Sequence, residues 1–235
     1  MMPKGTRLFK LAKRLPVDML LKRLNEAEPL IEERIIGENE RVELRTIIRN
    51  VMNEEEVIRG ELAYERLVPL HQLDGSIEYA RDVYFVPFAF CKDAPFLIIL
   101  TKKMLSETVA SKLNKMLFGG EDVILKVYIS RNIILEFLRR NPHTLKRCHW
   151  QGLRIPGADR AALAGPNVRR APDFKRYDMY GERSYIVAKL LEYEWTIGIG
   201  REGSVVFFNP NIPEEDMVKF IIKRLVNLMI EVGAE

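Results

Sequence analysis

Apolar positions change their spacing several times along the chain, and each change marks an element. Leu8, Leu11 and Leu15 fall among Lys4, Arg7, Lys10, Lys13 and Arg14. That pattern predicts a short amphipathic helix or a basic arm, interrupted by Pro16. Asp18 then opens a helix through about Ala27, with Leu20, Leu21 and Leu24 on one side. From Glu28 the period shortens. Leu30–Ile36 and Arg41–Val51 read as a hairpin turned at Gly37-Glu38-Asn39. Val57–His71 and Ser76–Phe90 read as two long strands joined at Asp74-Gly75. Pro95–Leu100 is a continuous apolar run, as in a strand buried on both faces.

Helical spacing returns at Leu105, Val109, Leu113, Met116 and Leu117, with Ser106 near the start and Gly119-Gly120 as the stop. Val123–Ile129 reads as a strand, and Asn132–Arg140 as a helix ended by Asn141-Pro142. Residues 151–182 keep no sustained period and read as a long irregular connection. Three strands follow: Ser184–Leu191, Glu194–Gly200 and Ser204–Asn209. A closing helix is capped by Asn211, has Glu214, Glu215 and Asp216 in its first turn, and buries Val218, Ile221, Ile222, Leu225 and Met229. The fold class is therefore α+β. A mostly antiparallel sheet packs against helices in two sub-domains, 1–130 with the long hairpins and 131–235 with a three-strand meander and a terminal amphipathic helix.

Composition narrows the classes. Hydrophobic content of 47% and charged content of 30% over 235 residues support a packed core. Cys91 and Cys148 form no disulfide framework, which implies a reducing compartment. No apolar run reaches the ~20 residues that span a bilayer, and the basic start lacks the core of a secretory signal, so a cytoplasmic protein with no membrane partner is expected. Gln occurs only at Gln72 and Gln151 amid abundant Glu, Lys, Arg and Ile, which leans towards a thermophile.

Charge adds the main functional lead. Residues 139–176 hold Arg139, Arg140, Lys146, Arg147, Arg154, Arg160, Arg169, Arg170, Lys175 and Arg176 against Asp159 and Asp173 alone, a net of +8 in a chain of +4. His143, His149, Trp150, Phe174, Tyr177 and Tyr180 interleave with them. Cations for phosphate and planar groups for stacking are what nucleic-acid recognition needs. Arg outnumbers Lys, which suits bidentate phosphate contact. Trp150 has two readings, a base-stacking ring or a core anchor, and the second is the commoner fate of a single Trp. The cations could instead pair with residues 26–65 of the same chain, where twelve Glu meet five Arg.

Chemistry beyond binding finds little support. His143, Cys148 and His149 lack metal-site spacing, so no metal or other cofactor is expected. Glu78 and Asp82 share one strand face and could serve a metal-dependent nuclease, or form that strand's wet side. Gly198-Ile199-Gly200-Arg201-Glu202-Gly203 matches GxGxxG but joins two strands instead of opening a helix. The expectation is a non-enzymatic nucleic-acid-binding protein, for DNA or RNA, using the residues of 139–176, with Lys4–Arg14 assisting. The alternative is an adaptor or regulator that binds an acidic protein partner or a second copy of itself as a homodimer.

Overall fold

The computed structural model of the chain describes residues 3–36 and 40–232. The turn expected at Gly37-Glu38-Asn39 lies outside the described residues. In chain order the elements are β1 (Lys4–Leu11), α1 (Val17–Asn25), β2 (Leu30–Ile36), β3 (Glu40–Asn53), β4 (Val57–His71), β5 (Ile77–Cys91), β6 (Phe96–Ile99) and α2 (Lys103–Phe118). They continue as β7 (Ile124–Lys126), α3 (Arg131–Arg140), β8 (His143–Ile155), β9 (Ala158–Ala164), a 3-10 turn (Val168–Arg170) and α4 (Phe174–Tyr180). The chain closes with β10 (Glu182–Leu190), β11 (Thr196–Gly200), β12 (Ser204–Phe207), α5 (Glu214–Ile221), a π-helical stretch (Ile222–Val226) and α6 (Asn227–Val232). The protein is α+β, and its sheet pairing is mostly antiparallel. Among the described residues, no helix is long and apolar enough to cross a membrane.

The chain divides into two compact units. Met1–Lys10, Leu100–Lys103 and Lys126–Glu235 form a terminal unit; Leu11–Ile99 and Met104–Leu125 form a middle unit. The grouping differs from a single cut near residue 130, because the start of the chain pairs with its far end. β1 is antiparallel to β12, with Thr6 opposite Val205. This corrects the expected amphipathic helix or free arm. Leu8 and Phe9 are buried, and Arg7 is 1% exposed with its Nε–H donated to the Glu202 carbonyl. Successive residues of a central strand are buried on both faces, so the leucine spacing that resembles a helix is incidental. Lys4 donates to the Ile212 carbonyl, so it too is held by its own unit.

In the middle unit the strands run β2-β3-β4-β5-β6. β4 and β5 pair along their whole length from Val57 opposite Cys91 to His71 opposite Ile77. Gly75 takes φ 84° in the turn between them, where Asp74 accepts from the Ser76 N–H and hydroxyl. β6 is buried at every position, as its apolar run predicts. α2 ends at Gly119 and Gly120, both at positive φ, but it begins at Lys103, and Ser106 is buried inside it.

Lys112 on α2 ties the helix to the sheet. Its ammonium, mostly buried, donates to the Thr46 hydroxyl and the Glu32 carboxylate, which Lys115 also reaches. Burial alone would raise the Glu32 pKa, but hydrogen bonds from Lys112 and Lys115 outweigh it and bring the pKa from 4.5 down to about 2. A depressed folded-state pKa contributes stability that is complete above the unfolded value and is lost as pH falls through the folded one. Urea midpoints followed from pH 4.5 down to about 2 should therefore fall, and Glu32→Gln should flatten that fall. An unchanged pH profile in the variant counts against the pairing.

In the terminal unit the order is β1-β12-β11-β10-β8-β9. The expected strand Val123–Ile129 shortens to β7. Asn211 does not cap the closing helix: Pro213 precedes it, and Glu214, Glu215 and Asp216 face its amino-terminal dipole. Met217, Val218, Ile221, Leu225 and Met229 form the buried stripe, with Ile222 at its edge where the π-helical stretch begins. The irregular connection expected over 151–182 is largely ordered. It holds the end of β8, all of β9, the 3-10 turn and α4.

Candidate nucleic-acid interface

The basic segment begins in α3 and runs through the β8–β9 hairpin to the 3-10 turn and α4. Ile155 pairs with Ala158, leaving Pro156-Gly157 as a two-residue turn. Proline fixes φ at the first position, and Gly157 supplies φ 78° at the second. The phrase Gly152-Leu-Arg-Ile-Pro-Gly157 is thus a strand end with an irregularity between Gln151 and Ile155, followed by its turn. Alanines at four of the seven β9 positions hid the strand, since they carry little periodic signal.

Strand alternation sorts the side chains onto two faces. Leu145, Cys148 and Trp150 of β8 and Ile186, Ala188 and Leu190 of β10 are buried. The helices cover this face. Trp150 and Phe174 of α4 meet edge-on at 5.4 Å, and Phe220 of α5 packs on Phe207 at 5.8 Å. The opposite face carries Arg147, His149 and Gln151 from β8, Arg160, Ala162 and Ala164 from β9, and Tyr185, Val187 and Lys189 from β10.

α4 is held down by Asp178. Arg183, whose side chain is 5% exposed, donates to both Asp178 oxygens at 2.6 and 2.9 Å. The Trp150 indole N–H donates to Asp178 Oδ1 at 3.3 Å, and Arg131 donates to the Asp178 carbonyl. Burial pushes the Asp178 pKa up, but the Arg183 contacts, the indole and Arg131 hold it below the usual carboxylate range. Trp150 is 1% exposed, so its ring anchors the sheet to α4 and offers no face to a base.

The eleven residues of the sequence expectation divide accordingly. Arg139 and Arg140 both pair with Glu136, and Arg140 also with Glu231. Lys146 donates to the Pro166 carbonyl. Arg160, largely exposed, has only the neighbouring Asp159 at 3.7 Å. Arg147, Arg154, Arg169, Arg170, Lys175 and Arg176 are exposed, and none of them lies in an ion pair among the described residues. Arg147 and Arg160 stand on the open sheet face. Arg169, Arg170, Lys175 and Arg176 belong to the 3-10 turn and α4, on the helix side. Arg154 borders a hollow of about 630 Å³ with Arg131, Gln151 and Tyr180. The cations therefore do not converge on one face.

The sequence reading missed Tyr185 and Lys189, which lie beyond the basic segment. Their alternation with the apolar Ile186, Ala188 and Leu190 was the available signal. The Tyr185 side chain lies over Gly198 and Gly200, where added Cβ atoms would come within 2.1 Å of its hydroxyl oxygen and 3.5 Å of its ring. The first two glycines of the GxGxxG match thus make room for the tyrosine side chain. His149 meets Tyr185 edge-on at 5.5 Å. Burial, then Arg147, lowers the His149 pKa below its usual 6.5, which keeps the imidazole neutral at pH 7.

His143, Cys148 and His149 do not face one another. Cys148 points into the core, its thiol pushed up to about 12 by burial, and His149 points to the other face. His143 Nδ1–H donates to the Asn141 carbonyl. On the long hairpin, Glu78 accepts from Gln72 and Asp82 faces Arg66 at 3.7 Å. Among the described residues, no three His, Cys, Asp or Glu are grouped to hold a metal ion. No family model matches the chain, and no curated protein matches it in sequence.

Proposed function

We propose that this chain binds nucleic acid as a binding module, not an enzyme, and that the terminal unit makes the phosphate contacts. The observation that carries the reading is the set of exposed cations without a carboxylate partner: Arg147, Arg154, Arg169, Arg170, Lys175 and Arg176. An unpaired surface guanidinium keeps its forked donors for a phosphate, whereas Arg139 and Arg140 spend theirs on Glu136 and, for Arg140, Glu231. The competing idea of self-neutralisation by residues 26–65 loses force. Five of the twelve Glu there are engaged within their own unit: Glu32 with Lys112 and Lys115, Glu33 with Arg41, Glu54 with Arg59, Glu61 with Arg49, and Glu65 with Arg81.

The test is fluorescence anisotropy of labelled single-stranded and duplex oligonucleotides from 50 to 200 mM salt. Binding should weaken steeply as salt rises, because each neutralised phosphate releases counterion. No binding of either form at 50 mM salt overturns the proposal.

A further inference from the structure

We infer that the nucleic acid bound is single-stranded and lies across the open sheet face of β9, β8, β10 and β11, with bases stacked on His149 and Tyr185. The inference rests on the proposed nucleic-acid function and names its substrate class.

The register builds the platform row by row. One row across the strands reads Ala162, His149, Tyr185, Gly200. The next reads Ala164, Arg147, Val187, Gly198. The two rings are thus flanked in their own row by alanine and glycine, and both are half-buried. Arg160, opposite Gln151, lies in the row on one side of the rings; Arg147, then Lys189 opposite Thr144, lie on the other. Neighbouring strands stand about 4.8 Å apart. Cations from three adjacent strands therefore flank the ring pair, spread over roughly 10 Å across the strands and about 20 Å along them. A hollow of about 480 Å³ opens beside His149, lined also by Gln151, Arg160, Ala162, Ser184 and Glu202. Glu202 is itself paired with Lys103, which reduces its repulsion of a phosphate.

A duplex keeps its base faces inside its own stack and could use only the cations of this face. A single strand can use both cations and rings, because every base has a π-face. The helix-side cations of α4 have one exposed ring, Tyr180, beside them and no ring pair: Trp150 is buried and Tyr177 packs against it at 5.6 Å.

Anisotropy with labelled oligo(dT), oligo(U) and a duplex of equal length tests this. Either single strand should bind at least about 10-fold tighter than the duplex. Tyr185→Leu and His149→Ala should each lower single-strand affinity about 10-fold with the salt slope unchanged, since no phosphate contact is lost. Tyr185→Phe keeps the ring and should keep the affinity. Comparing the dT and U arms shows whether DNA or RNA is preferred. Equal affinity for duplex and single strand, or no loss in the ring variants, overturns the inference while leaving the binding function standing. Absence of all binding by the wild-type chain defeats the function itself. Far-UV circular dichroism checks folding, and His149→Ala decides should Tyr185→Leu fail to fold.

Discussion

Replacing Arg147, Arg160 and Lys189 together with alanine should lower single-strand affinity by roughly two to three orders of magnitude at 50 mM salt. Each phosphate contact on a single strand contributes about 0.7 to the slope of log affinity against log salt. Three contacts make a slope near 2, so wild type and variant should converge by roughly 20-fold between 50 and 200 mM salt. The three side chains lie on adjacent strands of the open face and point away from the core, so little stability should be lost. A companion variant, Arg170→Ala with Lys175→Ala and Arg176→Ala, removes charge from the helix side. Should that variant lose the affinity and the sheet-side variant keep it, the interface is on the helix layer and the single-strand inference falls. Should both keep wild-type affinity, the phosphate contacts are not made by this unit.

Asp178→Ala should destabilise the terminal unit by about 3–5 kcal/mol in urea unfolding. The magnitude follows from what is left behind. Arg183 is 4% exposed and would keep its charge in the core without its carboxylate. The Trp150 indole N–H would lose its acceptor as well. Asp178→Asn should fall between the two, since the amide oxygen can still accept while the charge is gone. A loss below about 1 kcal/mol would show that Arg183 finds water or another partner when Asp178 is removed. Total stability of a domain is about 5–15 kcal/mol, so the alanine variant should also loosen α4 and with it Lys175 and Arg176.

The placement of Asp178 shows how a one-dimensional charge count misleads. The net of +8 over residues 139–176 stops two positions short of it, and begins three positions after Glu136. Those two carboxylates hold Arg183, Arg139 and Arg140. A window drawn on sequence cannot know which charges meet in space. What remains unpaired after local neutralisation is smaller, and it is split between the β8–β9 hairpin and the helix layer of the 3-10 turn and α4.

Much of the fold was legible from local spacing. The hairpin β4–β5 follows from its turn residues and long β-rich flanks, β6 from its apolar run, α2 from its period and its two stop glycines, and the closing helix from its stripe. In each case one short-range rule sufficed, because the residues that decide the element lie within it. The β8–β9 hairpin was not legible, since four alanines in β9 blur the alternation. The amino-terminal strand was misread because its partner β12 lies about two hundred residues away, and burial on both faces erases the alternating pattern.

The amino-acid sequence by itself determined an α+β chain, the long hairpin, the main helices and a local excess of positive charge. Only the tertiary structure decided that the first strand joins the last one, that Trp150 serves the core, and that Arg147 and Arg160 share an open face with His149 and Tyr185. The reason is physical. Helix period, turn chemistry and buried runs act over a few residues, whereas strand pairing and charge neutralisation depend on which distant segments are brought together.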